Sequence, residues 1–287
     1  MKGFKVFLRG NGLKNVKAAL YAWFFNLLFS LFIYFAYYKL FANAAGKTTI
    51  AADVSGEIGV FTFLTDISRN YDGNFSLVFS LALMTALLFV VVSIFLAGGI
   101  YAVLVEDDRV TFSNLLSSSI ENFLNMLKLF FVNLPNCLVA LFIPGIMLFL
   151  FLKTKSLVLN ETLWQIFIYL WVGITALVFT FSVAIYDFSR VFKLKEDRNV
   201  FLSFKKGITF TFSNKLNILA IFLLYGLSLV FLYLIYSLFV RFVPDFLYTL
   251  FIFIIYQVFV MVRYYLKIVV MRAEVGLAGV ELAEMNP

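Results

Sequence analysis

Long runs of apolar residues alternate along this chain with short charged connections. Six runs, residues 18–42, 75–105, 129–152, 163–186, 216–240 and 246–270, each supply the ~20 residues a helix needs to cross roughly 30 Å of hydrocarbon. In lipid every backbone N–H and C=O must find its partner within the segment, so these runs predict helices. The expected fold is all-α: a polytopic membrane helix bundle of about six transmembrane helices in three hairpins. It forms a single membrane domain over residues 1–287. The second and sixth runs exceed what a bilayer requires and are expected to tilt or project.

A shorter pattern precedes the odd-numbered runs. Residues 112–128 place Phe112, Leu115, Leu116, Ile120, Phe123 and Leu127 on one helical face, with Thr111 or Ser113 as cap. Residues 201–215 do the same with Phe201, Phe204 and Ile208, and residues 4–17 supply a third such segment. Each predicts a cytoplasmic amphipathic helix ahead of a hairpin. The junctions also match, Glu106-Asp107-Asp108-Arg109-Val110 against Glu196-Asp197-Arg198-Asn199-Val200. Together they suggest three units, 1–105, 106–190 and 191–287.

Gly98-Gly99-Ile100-Tyr101, followed by the polar–apolar run Val110-Thr-Phe-Ser-Asn-Leu-Leu116, resembles the six-span membrane domain of bacterial glycerophosphodiester phosphodiesterases and related prokaryotic membrane proteins. That resemblance implies a membrane-embedded accessory module. The soluble phosphodiesterase domain of those fusions has no counterpart here, so it implies no phosphodiesterase activity.

Composition agrees with the pattern. Hydrophobic residues make up 63% of the chain and charged residues 14%, against roughly 25% charged in a soluble domain. Water would reject that much apolar surface, and a lipid-facing exterior removes the difficulty. The net charge of +7 comes from basic residues that flank the apolar runs. This favours orientation and anionic lipid over nucleic acid. With the N-terminus inside, 17 of the 23 Lys and Arg fall on the cytoplasmic side and 6 outside. Both termini are therefore expected in the cytoplasm, with the protein in the inner (cytoplasmic) membrane. The first apolar run is too long and aromatic for a cleaved signal and reads as a retained anchor. His is absent and Cys137 is the lone cysteine. An internal disulfide, a zinc centre and imidazole acid–base chemistry are thereby excluded, and no metal or cofactor is expected.

Three places stand out chemically. In the third run Asn133, Pro135 and Asn136 adjoin Cys137, and Pro144 follows. Two prolines predict a kinked or interrupted helix whose freed carbonyls and Asn amides line a substrate path. The other reading, which a packed bundle favours over the path, is that those amides only hold neighbouring helices together. Asp187 and Arg190 close the fourth run and Arg263 lies near the inner end of the sixth. A charge buried there needs an opposite charge, which predicts an Asp187–Arg263 pair. Gly98 and Gly99 read as close helix packing. The Glu106–Asp108 trio reads as a solvated junction, since three successive positions on a helix do not converge on one ion.

These readings favour a non-enzymatic, accessory or permease-like bundle handling amphiphilic or lipid-like molecules, with membrane lipids as partners. Two alternatives stand beside it. One is a structural partner of another membrane protein in a complex; the other is a membrane enzyme acting on lipid headgroups through carboxylates such as Asp187.

Overall fold

The computed structural model describes residues 12–45, 74–106, 110–154, 161–196, 199–241 and 248–285. The segments at 4–11 and 46–73, and parts of the two acidic junctions, lie outside them. Among the described residues every element is helical: α1 (Gly12–Ala45), α2 (Asn74–Glu106), α3 (Phe112–Thr154), α4 (Glu161–Glu196), α5 (Val200–Ser213), α6 (Lys215–Arg241) and α7 (Tyr248–Met285). Five stretches, in α2, α3, α4, α6 and α7, are long and apolar enough to cross a membrane. That is the architecture of a multi-pass membrane protein.

The chain divides into two compact units. The smaller, Ala22–Ser93, takes the later part of α1 and the earlier part of α2, which meet through the Phe29 and Phe89 rings at 5.7 Å. The larger, Met1–Tyr21 with Ile94–Pro287, holds most of the buried side chains. Its core gathers where α2 and α4 end and α3 begins, with Tyr101, Leu115, Met126, Phe188, Phe192, Ile268 and Val270 buried. Away from that end, α3, α4, α6 and α7 present rows of exposed Leu, Ile, Val and Phe, the surface expected of helices whose solvent is hydrocarbon.

The predicted boundary ahead of the third run disappears. The segment 112–128 is not a separate helix but the start of α3, which runs 43 residues without a break, about 65 Å at ~1.5 Å per residue. Thr111 is its cap: its Oγ1 accepts from Asn114 N–H at 3.2 Å. Nothing between Lys128 and Val132 favours a stop, so the apolar run simply extends the helix. α3 also continues through Pro135 and Pro144, bent at most and not interrupted. The segment before the fifth run is separate. α5 begins at Asn199, whose Oδ1 accepts from Phe201 N–H at 3.3 Å, and ends at Asn214, whose N–H donates to Phe210 O at 2.9 Å. An Asn side chain competes for nearby backbone groups and so favours such breaks.

α5 buries Ser203, Gly207, Phe210 and Thr211 and turns Phe201, Leu202 and Phe212 outward, each more than half exposed. It packs closely on α4. A Cβ on Gly207 would overlap Ser189 Oγ and come 2.8 Å from Ile185 O. The crossing of α2 on α3 is its counterpart, because a Cβ on Gly99 would overlap Ser119 Oγ and reach Leu115 O at 2.5 Å. Gly99 and Ser189 each lie seven residues before the glutamate of the matching junction, and Ser119 and Gly207 each lie eight after a helix cap. The same contact is built twice with glycine and serine exchanged.

This packing sets an expectation for substitutions. Gly207→Val should lower the unfolding free energy in mild detergent by about 1–3 kcal/mol, the usual cost of overpacking. Gly173→Ala, at a helical site with nothing within 4 Å, should leave stability unchanged or raise it by about 0.5–1 kcal/mol. Thermal unfolding of the two purified variants measures both.

Candidate functional site

At the packed end of the larger unit, one turn of α4 carries two kinds of contact. Asp187 and Arg190 point toward α2 and α7. Between them, the Phe188 ring packs at a tilt against Phe210 of α5, 4.6 Å between centres, and Ser189 meets Gly207. Asp187 is 2% exposed. Its Oδ1 accepts from Arg190 Nη1 at 3.0 Å and its Oδ2 from Lys267 Nζ of α7 at 3.1 Å. Each carboxylate oxygen therefore has its own cation. The Arg190 guanidinium lies 3.7 Å from the Tyr186 ring centre and 5.8 Å from that of Tyr101, so its flat faces are covered by π-systems.

Tyr101 of α2 extends the network. It is fully buried, and its hydroxyl donates to Glu274 Oε2 at 2.6 Å. Glu274 is also fully buried, and its Oε1 has no hydrogen-bonding partner among the described residues. Lys267 and Glu274 are two turns apart on one face of α7. A little farther along, Lys195 of α4 donates to Val275 O at 3.1 Å, and Arg272 donates to Asn15 Oδ1 of α1 at 3.3 Å. The last part of α7 thus touches α1, α2 and α4 through polar groups.

The predicted partner of Asp187 is corrected. Arg263 is exposed, and Lys267, one turn on, takes the aspartate. α7 continues 15 residues past the end expected at Val270, which moves its approach to α4 farther along the helix. Arg190, placed beside Asp187 in the sequence, is its second partner.

The asparagine group of α3 is a separate feature. Asn136 Nδ2 donates to Ser182 Oγ at 2.9 Å, to Ser182 O at 3.2 Å and to Asn133 Oδ1 at 3.0 Å, and Asn133 Nδ2 donates to Cys137 Sγ at 3.2 Å. Pro144 O accepts from Trp171 Nε1 at 2.9 Å. These bonds join α3 to α4. Gly98 and Gly99 lie where α2 meets α3, Gly98 beneath Met126. Neither set reaches the charged network. Tyr101, Lys267 and Glu274 were the residues sequence reasoning passed over. The signal for two of them was an opposite-charge pair seven residues apart in α7.

Two cavities accompany these groups. One of about 250 Å³ between α6 and α7 is lined by apolar and aromatic side chains, among them Tyr236, Phe239, Val258 and Phe259. The other, of about 490 Å³, opens between α3, the end of α4 and the start of α5, and its lining includes Lys128 and Lys193.

With this geometry in hand, comparison with protein-family models, curated proteins and solved structures returns no match.

Asp187→Asn should cost about 3 kcal/mol of stability, because it leaves two cations sharing one neutral amide in a buried site. Glu274→Gln should cost less, about 1 kcal/mol, since Tyr101 can still donate to the amide oxygen. Unfolding of the two variants side by side measures the difference. Equal losses would show that the cations do not depend on Asp187.

Proposed function

We propose that this chain is a non-enzymatic, permease-like or accessory bundle of the cytoplasmic membrane that handles amphiphilic, lipid-like molecules. It has six spans in three hairpins, α1 with α2, α3 with α4 and α6 with α7. Both termini are cytoplasmic, and α5 lies along the inner interface. The excess of Lys and Arg in the segments assigned to that side supports the orientation, and the length of α1, 34 residues, supports it as a sixth span.

The observation that carries the reading is the α4 turn Asp187–Arg190. Its two outer residues belong to a largely buried network of ionisable groups, and its two inner residues support a helix whose aromatic face looks outward. Ionisable groups inside a membrane bundle are costly and mark paths for polar groups. An outward aromatic face is stable against acyl chains and unstable against water. An amphiphile is the kind of molecule that meets both requirements at one place. A partner-subunit role explains the outward face of α5 but leaves the buried charges only the task of positioning helices.

The test is movement of a fluorescent phosphatidylglycerol between leaflets of proteoliposomes, read by quenching from outside. The expected result is transfer several-fold faster than in protein-free vesicles, lost in Lys267→Gln. Transfer no faster than in empty vesicles would set this reading aside in favour of a partner subunit. Reporter fusions within residues 46–73 and at residue 198 should report opposite sides of the membrane.

A further inference from the structure

We propose that the opening between α3, the end of α4 and the start of α5 is a binding site for the phosphate headgroup of an anionic lipid. Lys128 and Lys193 would face the phosphate, with Phe131 and Phe201 against the first acyl carbons. This rests on the amphiphile reading above and names its substrate class.

Four observations converge. The cavity, about 490 Å³, falls in the ~300–1,000 Å³ range of small-molecule pockets. Its described lining has two lysines and two asparagines, Asn125 and Asn199, and no carboxylate. The first residues of α5 form one wall, so the positive end of that helix dipole faces the opening. Phe131 and Phe201 also line it and are 58% and 64% exposed.

The pairing of cations with exposed rings decides between sources of phosphate. A soluble phosphate needs the charges and the amides but gives two phenyl rings no role. A lipid uses both, because its headgroup and first methylenes lie within a few ångströms of one another. The α6–α7 cavity provides an internal contrast: its lining holds no charged side chain, so it suits hydrocarbon alone.

The experiment is native mass spectrometry of the full chain, titrated with phosphatidylglycerol and with phosphatidylcholine of the same acyl chains. The wild type should retain one phosphatidylglycerol in preference to phosphatidylcholine. At ~1 kcal/mol for each lysine near an anionic lipid, the double variant Lys128→Gln/Lys193→Gln should lose that preference by roughly tenfold or more. Lys128→Gln alone, at an exposed position that folding tolerates, should lose several-fold, and Lys128→Arg should retain the preference. Phe201→Ala should weaken both lipids without changing the ratio between them.

Unchanged preference in Lys128→Gln and in the double variant would overturn the site. So would displacement of the lipid by millimolar glycerol phosphate, which would make it a soluble-phosphate pocket. Preferential binding without movement between leaflets would keep this site and remove the permease reading. Movement that the double variant leaves intact would do the reverse.

Discussion

A carboxylate taken out of water is tolerable only when cations occupy its oxygens, and the packed end of this bundle is organised around that requirement at Asp187. One cation, Arg190, comes from the same helix one turn on. The other, Lys267, must come from elsewhere, and it fixes where α7 lies against α4. With that approach set, Glu274 falls two turns farther along the same face and meets Tyr101. α2 is held to α7 as a consequence. Replacing the network with apolar side chains of similar size need not destabilise such a core. What the charges add is position, since an ion pair has one good geometry where methyl groups have many.

The contacts of α5 follow a different rule. Its buried side is small and polar apart from Phe210, and most of its bulk faces away from the protein. For a soluble helix this would be inverted. In a membrane there is no hydrophobic gain from packing apolar helices on each other, because lipid is as apolar as leucine. Close approach through small residues then supplies the attraction. Gly207 against Ser189 and Ile185 is such an approach, and Gly99 against Ser119 repeats it. Placing these contacts at matching distances from two similar junctions ties the sequence similarity of those junctions to a shared way of turning the chain.

Much of the helical layout was legible because apolar length is a strong signal: the second to fifth runs, and the sixth from residue 248 on, lie within helices long and apolar enough to span. Boundaries were less so. The end of α7 was placed at Val270, where hydropathy falls, yet the helix continues through Arg272, Glu274 and Gly276. Helix formation asks only for backbone hydrogen bonds and tolerable side chains, and small residues there allow charged neighbours to be buried. A hydropathy reading ends where charged and small residues crowd together, which here is before Glu274 and its contact with Tyr101. Asp187 was legible as a buried charge needing a partner. Its partner was not, because choosing Lys267 over Arg263 depends on how far α7 runs before it meets α4.

The separation between the network and the lysine-lined opening has an electrostatic meaning. Asp187 faces both Arg190 and Lys267, and Glu274 faces Tyr101, so these groups are directed at one another. The opening lined by Lys128 and Lys193 has the first residues of α5 as one wall. In the proposed headgroup site, attraction for an anionic lipid would belong to that opening. The network responds to what comes close enough to compete for Arg190 or Lys267. Phe188 and Ser189 join the two regions through α5, so displacement of that helix by a lipid at its start would be felt at the turn that carries Asp187.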